Sequence, residues 1–375
     1  MFQRPQHLMS RFARQRRVYF IEEPVFERAC EKPGMRLRKC EKTGVKVATP
    51  EFPEHFDRAQ LTREVSRSVS KLLRSEKINE YIAWYYTPMA LEISKDLRPK
   101  ATVYDCMDEL SLFHNAPPEL TQNERKLFGV CDLVFTGGES LFESKRRQHD
   151  HVYAFPSSVD CDHFAQARVL GDTAEDQKTL PRPRLGYAGV IDERIDVKLI
   201  GELAERRPEW QFVMIGPVVK IDPATLPNKP NIHWLGMKDY ADLPQYLAGW
   251  DVALMPFAMN DSTKFISPTK TPEYLAAGLP VVSTPIRDVE RHYGELGMVR
   301  IEGTTEGFLA AAEQALTYEM GFKWRERVDA FLMTMSWDRT WNAMNNLIEE
   351  SIAARTRAAE QPAVMAASHT PAALV

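Results

Sequence analysis

Phe265-Ile266-Ser267-Pro268-Thr269-Lys270-Thr271-Pro272-Glu273-Tyr274-Leu275-Ala276-Ala277-Gly278-Leu279-Pro280-Val281-Val282-Ser283-Thr284 reads as a loop, a short helix, a glycine stop and a buried strand. Just upstream, WDVALMPF at 250–257 reads as another buried strand. A loop leaving the C-terminal end of a parallel strand is where open α/β sheets bind ligands. The helix it enters offers unpaired backbone N–H groups and a positive dipole end, a seat for phosphate. Lys270 adds a mobile cation, and Ser267, Thr269 and Thr271 add hydroxyls. Glu273, in the first turn, is placed to accept hydrogen bonds from the vicinal hydroxyls of a ribose. Phosphate donors beside a ribose-binding carboxylate point to a nucleotide sugar. The plainer alternative has Ser267 or Thr271 capping the helix and Glu273 favouring its dipole. Both Ser267-Pro268 and Thr271-Pro272 read as a cap followed by a first-turn proline, and the sequence leaves that choice open.

Outward from this stretch, a strand–helix rhythm fills both halves. In the second half, strands are expected at 185–189, 210–215 and 231–235, and helices at 197–206, 243–249, 307–318 and 336–354. In the first half, strands at 17–22, 45–48, 81–86, 101–104, 133–136 and 152–155 alternate with helices at 5–16, 61–78, 90–96, 119–130 and 140–148. Such alternation predicts parallel sheets covered by helices on both faces. Residues 1–165 are expected to form a first domain, 166–183 a polar linker and 184–335 a second domain that carries the nucleotide-sugar segment. An Ala/Pro/Ser-rich tail over 355–375 is expected to be disordered. A doubly wound domain opens on a strand, and none precedes the first helix here. The first strand of the N-terminal domain is therefore expected to be missing.

The bulk numbers exclude more than they assign. No apolar run is long enough to cross a membrane, and MFQRPQHLMSRFARQRR lacks a secretion core. The five cysteines show no metal-ligand spacing and read as thiols in a reducing cytoplasm. The net charge of −4 hides an asymmetry, because residues 1–50 hold 12 Lys and Arg against 5 Asp and Glu. A peripheral contact with an anionic inner-membrane face is one use for that basic half. The other is a solvated helix end at Arg11, Arg14, Arg16 and Arg17. Nucleic acid is not expected as a partner. Hydrolase, NTPase and dinucleotide motifs are absent.

Further candidates lie at strand ends. Gly189 precedes Asp192-Glu193-Arg194, where a glycine admits a ligand to the backbone and Arg194 can clamp a diphosphate; the alternative is a surface arginine paired with Asp196. In the first half Arg4 and His7 enter the first helix, and Asp105 and Asp108 follow a buried strand. All four are candidates for the acceptor side, against capping or surface roles.

SPTKTPEYLAAGLPVVST resembles the donor-binding segment of the group 4-like retaining GT-B glycosyltransferases, with a group 1 type C-terminal domain. The likeness runs back through NIHWLG at 231–236, LPQYL at 243–247 and WDVALMPF. It implies two Rossmann-like domains facing across a cleft and a terminal helix crossing back to the first. It also implies a basic residue, here Arg194, at the donor phosphates. The loop around Met237 would hold the nucleobase through backbone, and no metal or other cofactor would be required. One departure stands out: the family's first glutamate would fall at 265, where this chain has Phe265. The reading is a hexosyl transfer from a nucleotide sugar to a glycan or lipid-linked hydroxyl, with Arg194, Lys270 and Glu273 as the catalytic set. A nucleotide-sugar epimerase and a catalytically silent sugar-nucleotide-binding scaffold are the alternatives.

Overall fold

The computed structural model describes residues 2–171, 174–317 and 321–367. The second domain rests on six parallel strands. Across the sheet they run Ile232–Gly236, Gln211–Ile215, Arg184–Ala188, Val252–Met255, Val281–Ser283 and Arg300–Ile301. In chain order this is 3-2-1-4-5-6, so the winding reverses between Arg184–Ala188 and Val252–Met255. That reversal leaves a crevice at the C-terminal strand ends, where ligands of such sheets bind. Leu185, Phe212, Val213, Met214, Val252, Ala253, Leu254 and Met255 are all buried. Burial on both sheet faces explains their continuous apolar runs.

The first domain carries two four-stranded sheets. In one, Lys46–Pro53 pairs in parallel with Tyr19–Ile21 and Val25–Glu27, and antiparallel with Gly34–Lys39. In the other, Ile82–Tyr85, Ala101–Cys106, Leu133–Thr136 and Val152–Ala154 lie parallel in chain order. The strand Gly34–Lys39 (GMRLRK) was not expected from its pattern, since its last four residues are exposed at a sheet edge and carry no buried stripe. The helix Phe322–Leu332 was missed for a similar reason: only Val328 and Leu332 of it are buried.

The last helix spans Trp337–Ala367, longer than the 336–354 expected. Residues 355–367, expected to be disordered, continue it, and 368–375 lie outside the described residues. Its first turns do cross back to the first domain. Trp337, Trp341, Met344 and Ile348, at helical spacing, pack with Leu8, Met9 and Phe12 of the helix Arg4–Phe12. Arg11 and Arg14 both reach Asp338, and Arg16 reaches Glu349. The segment expected as a linker is described at 166–171 and 174–183, and 172–173 lie outside the described residues. Gln177 is fully buried and donates to the Tyr246 carbonyl.

Candidate active site

Lys270 opens the helix Lys270–Ala276, so neither Ser267 nor Thr271 is its cap. Thr269 holds the cap position without a side-chain bond, and Pro272 falls in the first turn, where its absent N–H costs no hydrogen bond. Gly278 ends the helix at φ +81°, with Leu279 N–H returning to the Tyr274 carbonyl at 3.1 Å. Lys270 Nζ lies 2.7 Å from Glu273 Oε2, and Glu273 is 8% exposed. Both side chains face a pocket between the domains, with Thr269 beside them. Thr271 does not: it is fully buried, with Oγ1 against the Met255 sulfur. Ser267 packs instead against Gly138 of the first domain.

His7 closes the pocket from the first domain. Its ring stacks on Trp337 at 4.6 Å and meets Phe2 edge-on at 4.6 Å. Burial, then the charges of Arg11, His163 and Lys270, lower its pKa to about 3. The imidazole is therefore neutral at physiological pH and can act there only through hydrogen bonding and shape. Tyr240 completes the wall; its hydroxyl is buried with no hydrogen-bond partner among the described residues. Tyr240 and Trp337 were not singled out from sequence, because each reads as an ordinary helix-entry or core aromatic.

A second pocket adjoins the first through Lys270 and Leu243, and is lined by Gly189, Gly216, Met237 and Lys238. Two loops touch there through backbone. A Cβ on Gly216, at φ +142°, would stand 1.8 Å from the Gly189 carbonyl oxygen. Gly189 and Met237 thus line the pocket that continues from Lys270.

Arg194 lines neither pocket. It forks onto Asp192 rather than Asp196, at 2.9 and 2.7 Å, while Asp196 caps the next helix. Its guanidinium lies 5.3 Å over the ring of Phe113, which Lys220 approaches at 5.0 Å from the same domain. Asp108, in the first domain, is the opposing group: burial pushes its carboxyl up and Arg194 pulls it down. Lys198 is exposed and near Glu202.

Arg4 and Asp105 come together, but as a structural lock. Arg4 Nε and Nη2 hold Asp105 Oδ1 at 3.1 and 2.8 Å, with both residues under 5% exposed. Nη1 donates to the Phe155 carbonyl, tying the first helix to the strand Ala101–Cys106 and to the residue that follows Val152–Ala154. Arg4 still lines the pocket between the domains, whereas the Asp105 carboxylate is fully buried behind it and lines neither pocket.

The domains also meet through contacts with no sequence signal. Asp288 of the second domain accepts from the backbone N–H and hydroxyl of Ser140, in the first turn of the helix Glu139–Lys145. Glu143 of that helix pairs with Arg287 and Arg291. Phe265 packs into the first domain's cluster around Tyr85, Tyr104 and Leu141.

Residues 182–318 match the family model described as glycosyl transferases group 1. The second domain is therefore similar to the group 1 glycosyl transferases. A putative teichuronic acid biosynthesis glycosyltransferase, TuaH of Bacillus subtilis (strain 168), is 29% identical over 158 residues, 41% of this chain. The match spans only 40% of that relative. Among solved structures, sucrose-phosphate synthase of Thermosynechococcus elongatus superposes with TM-score 0.68 at 14% identity, covering 93% of this chain and 92% of that one. An α,α-trehalose 6-phosphate synthase of Burkholderia multivorans gives 0.63 at 13% identity, over 92% and 98%. These likenesses establish the GT-B fold across both domains. Phe265, where the resemblance implied a glutamate, is an interdomain apolar anchor.

Proposed function

We propose that this chain transfers a hexosyl group from a nucleotide sugar to a hydroxyl acceptor, in the assembly of a polysaccharide or other glycan. The observation that carries the reading is the Lys270–Glu273 pair, set at the strand-order reversal and opening onto the interdomain cleft. Glu273 accepts from the ribose hydroxyls, and Lys270, released from Glu273 by that exchange, meets the diphosphate. Arg194 joins it by turning from Asp192. Charge developing on the leaving diphosphate is stabilised by these two cations without a required metal. Closure against His7, Tyr240 and Trp337 excludes water that would hydrolyse the donor. The resemblance favours retention of anomeric configuration.

Membrane contact, if the acceptor is lipid-linked, falls to the edge strand of the basic N-terminal half rather than to its first helix. Arg11, Arg14 and Arg16 are taken by the last helix, whereas Arg38 and Lys39 stand exposed on the edge strand Gly34–Lys39. Among the described residues no helix is long and apolar enough to cross a membrane.

The test is turnover with a panel of nucleotide sugars and hydroxyl acceptors, with and without EDTA. Lys270→Ala should lower kcat by about 10²–10³, the scale of removing one preorganised charge-stabilising donor. Full activity in that variant would overturn the mechanism, and donor isomerisation without acceptor would favour an epimerase.

A further inference from the structure

Beyond Lys270, the second pocket contains one more polar side chain, Lys238. It follows the exposed Met237 on the loop leaving Ile232–Gly236, where Gly236 turns the chain at φ +67°. Its ammonium is held in place. Nζ lies 2.6 Å from Asp176 Oδ2 and 5.5 Å over the Tyr246 ring, and the Tyr246 hydroxyl donates to the other Asp176 oxygen at 2.8 Å. The hydrogen bond to Asp176 raises its pKa, so it stays charged through neutral pH. An ammonium has three N–H bonds to give and no lone pair to accept with. Asp176 and the Tyr246 side chain use part of that capacity, and a ligand in the pocket can take the rest.

Nucleobases divide on that chemistry. Uracil and guanine carry a ring carbonyl on the edge away from the sugar, at O4 and O6. Cytosine and adenine carry an amino group there, which is itself a donor. We propose that Lys238, held by Asp176, selects a donor nucleotide with an oxo base, uracil or guanine, over one with an amino base. This rests on the donor reading above, with ribose at Glu273 and the base extending past Gly189 and Gly216 toward Met237. An oxo base gains a charge-assisted hydrogen bond at the end of the pocket. An amino base sets N–H against N–H and leaves the ammonium desolvated. Sites built around a hydrogen bond discriminate in this way more strongly than apolar pockets do.

The test is calorimetric titration of the full chain with UDP, CDP, GDP and ADP, using wild type, Lys238→Met and Lys238→Arg. UDP and CDP are the decisive pair, since they share ribose and diphosphate and differ only at the edge in question. Wild type should bind UDP or GDP at least about tenfold more tightly than CDP and ADP, the worth of one hydrogen bond to a charged group. Lys238→Met should erase most of that gap by weakening the oxo nucleotides and relieving the amino ones, and Lys238→Arg should keep it. Should Lys238→Met fail to fold, Lys238→Gln, whose amide both donates and accepts, should lose the gap equally. Equal binding of all four, preference for CDP or ADP, or a gap that survives in the Met or Gln variant overturns the role of Lys238. Those results would leave the donor site standing. Binding of none of the four overturns the donor site itself, and the inference with it.

Discussion

Replacing Arg4 with methionine leaves the Asp105 carboxylate buried with nothing to neutralise it. The pair is closed on three sides, since Arg4 grips Asp105 through two nitrogens and gives its third to the Phe155 carbonyl. Asp105 is 0% exposed, so no water can take the guanidinium's place without opening the domain. Removing one member of such a pair costs about 3–5 kcal/mol. For a domain of this size that corresponds to a fall in Tm of roughly 6–20 °C. A pH dependence follows. Burial already pushes the Asp105 carboxyl up, with Arg4 pulling the other way, and loss of Arg4 pushes it further. A carboxyl whose folded pKa lies above its unfolded value keeps its proton longer when folded. Stability is then greatest in acid and falls as pH climbs from near 4 through the folded pKa. Calorimetric melts of Arg4→Met should therefore show a larger deficit at pH 8 than at pH 5. The double variant Arg4→Met/Asp105→Leu removes the stranded charge and should recover most of the loss. A single variant that melts within about 2 °C of wild type would refute the lock.

Other outcomes follow from the same geometry. Asp288→Ala should loosen the domains, read as a larger radius of gyration with unchanged circular dichroism; unchanged scattering would mean that Glu143 with Arg287 and Arg291 suffices. His7, with its pKa lowered to about 3, binds fewer protons folded than unfolded. Stability should then fall by up to about 1.4 kcal/mol per pH unit as pH drops from about 6.5 toward 3. His7→Phe, which keeps a ring on Trp337, should flatten that acid limb, and an unchanged limb would assign it elsewhere. Gly216→Ala should abolish nucleotide binding in a titration, because its Cβ would collide with the Gly189 carbonyl; retained affinity would mean that the two loops separate at little cost.

Much of the site was legible because it is local. Lys270, Glu273 and Thr269 lie within one turn, and their shared exposure to the cleft follows from helical spacing alone. Arg194 was legible as a cation at a strand end, but not its partner, since Asp192 and Asp196 stand equally near in the chain. Thr271 misled because a threonine beside a proline looks like a cap whether its hydroxyl faces solvent or the Met255 sulfur. Tyr240, Trp337, Lys238 and Asp288 gave no signal, for each owes its role to a neighbour from another element, as Asp288 does to Ser140 at 148 residues' separation.

The return of the terminal helix to the first domain was what the family resemblance implied, whereas two α/β domains of mostly parallel strands and the glycine-stopped helix were determined by the sequence by itself. These rest on apolar periodicity and turn chemistry, which act over a few residues. Tertiary structure alone decided the rest. It buried Arg4 with Asp105 as a lock, made Phe265 an anchor, and set His7 neutral between Trp337 and Tyr240. The physical reason is that charge state and hydrogen-bond partner depend on desolvation and on distances across the fold, and residue order does not encode either directly.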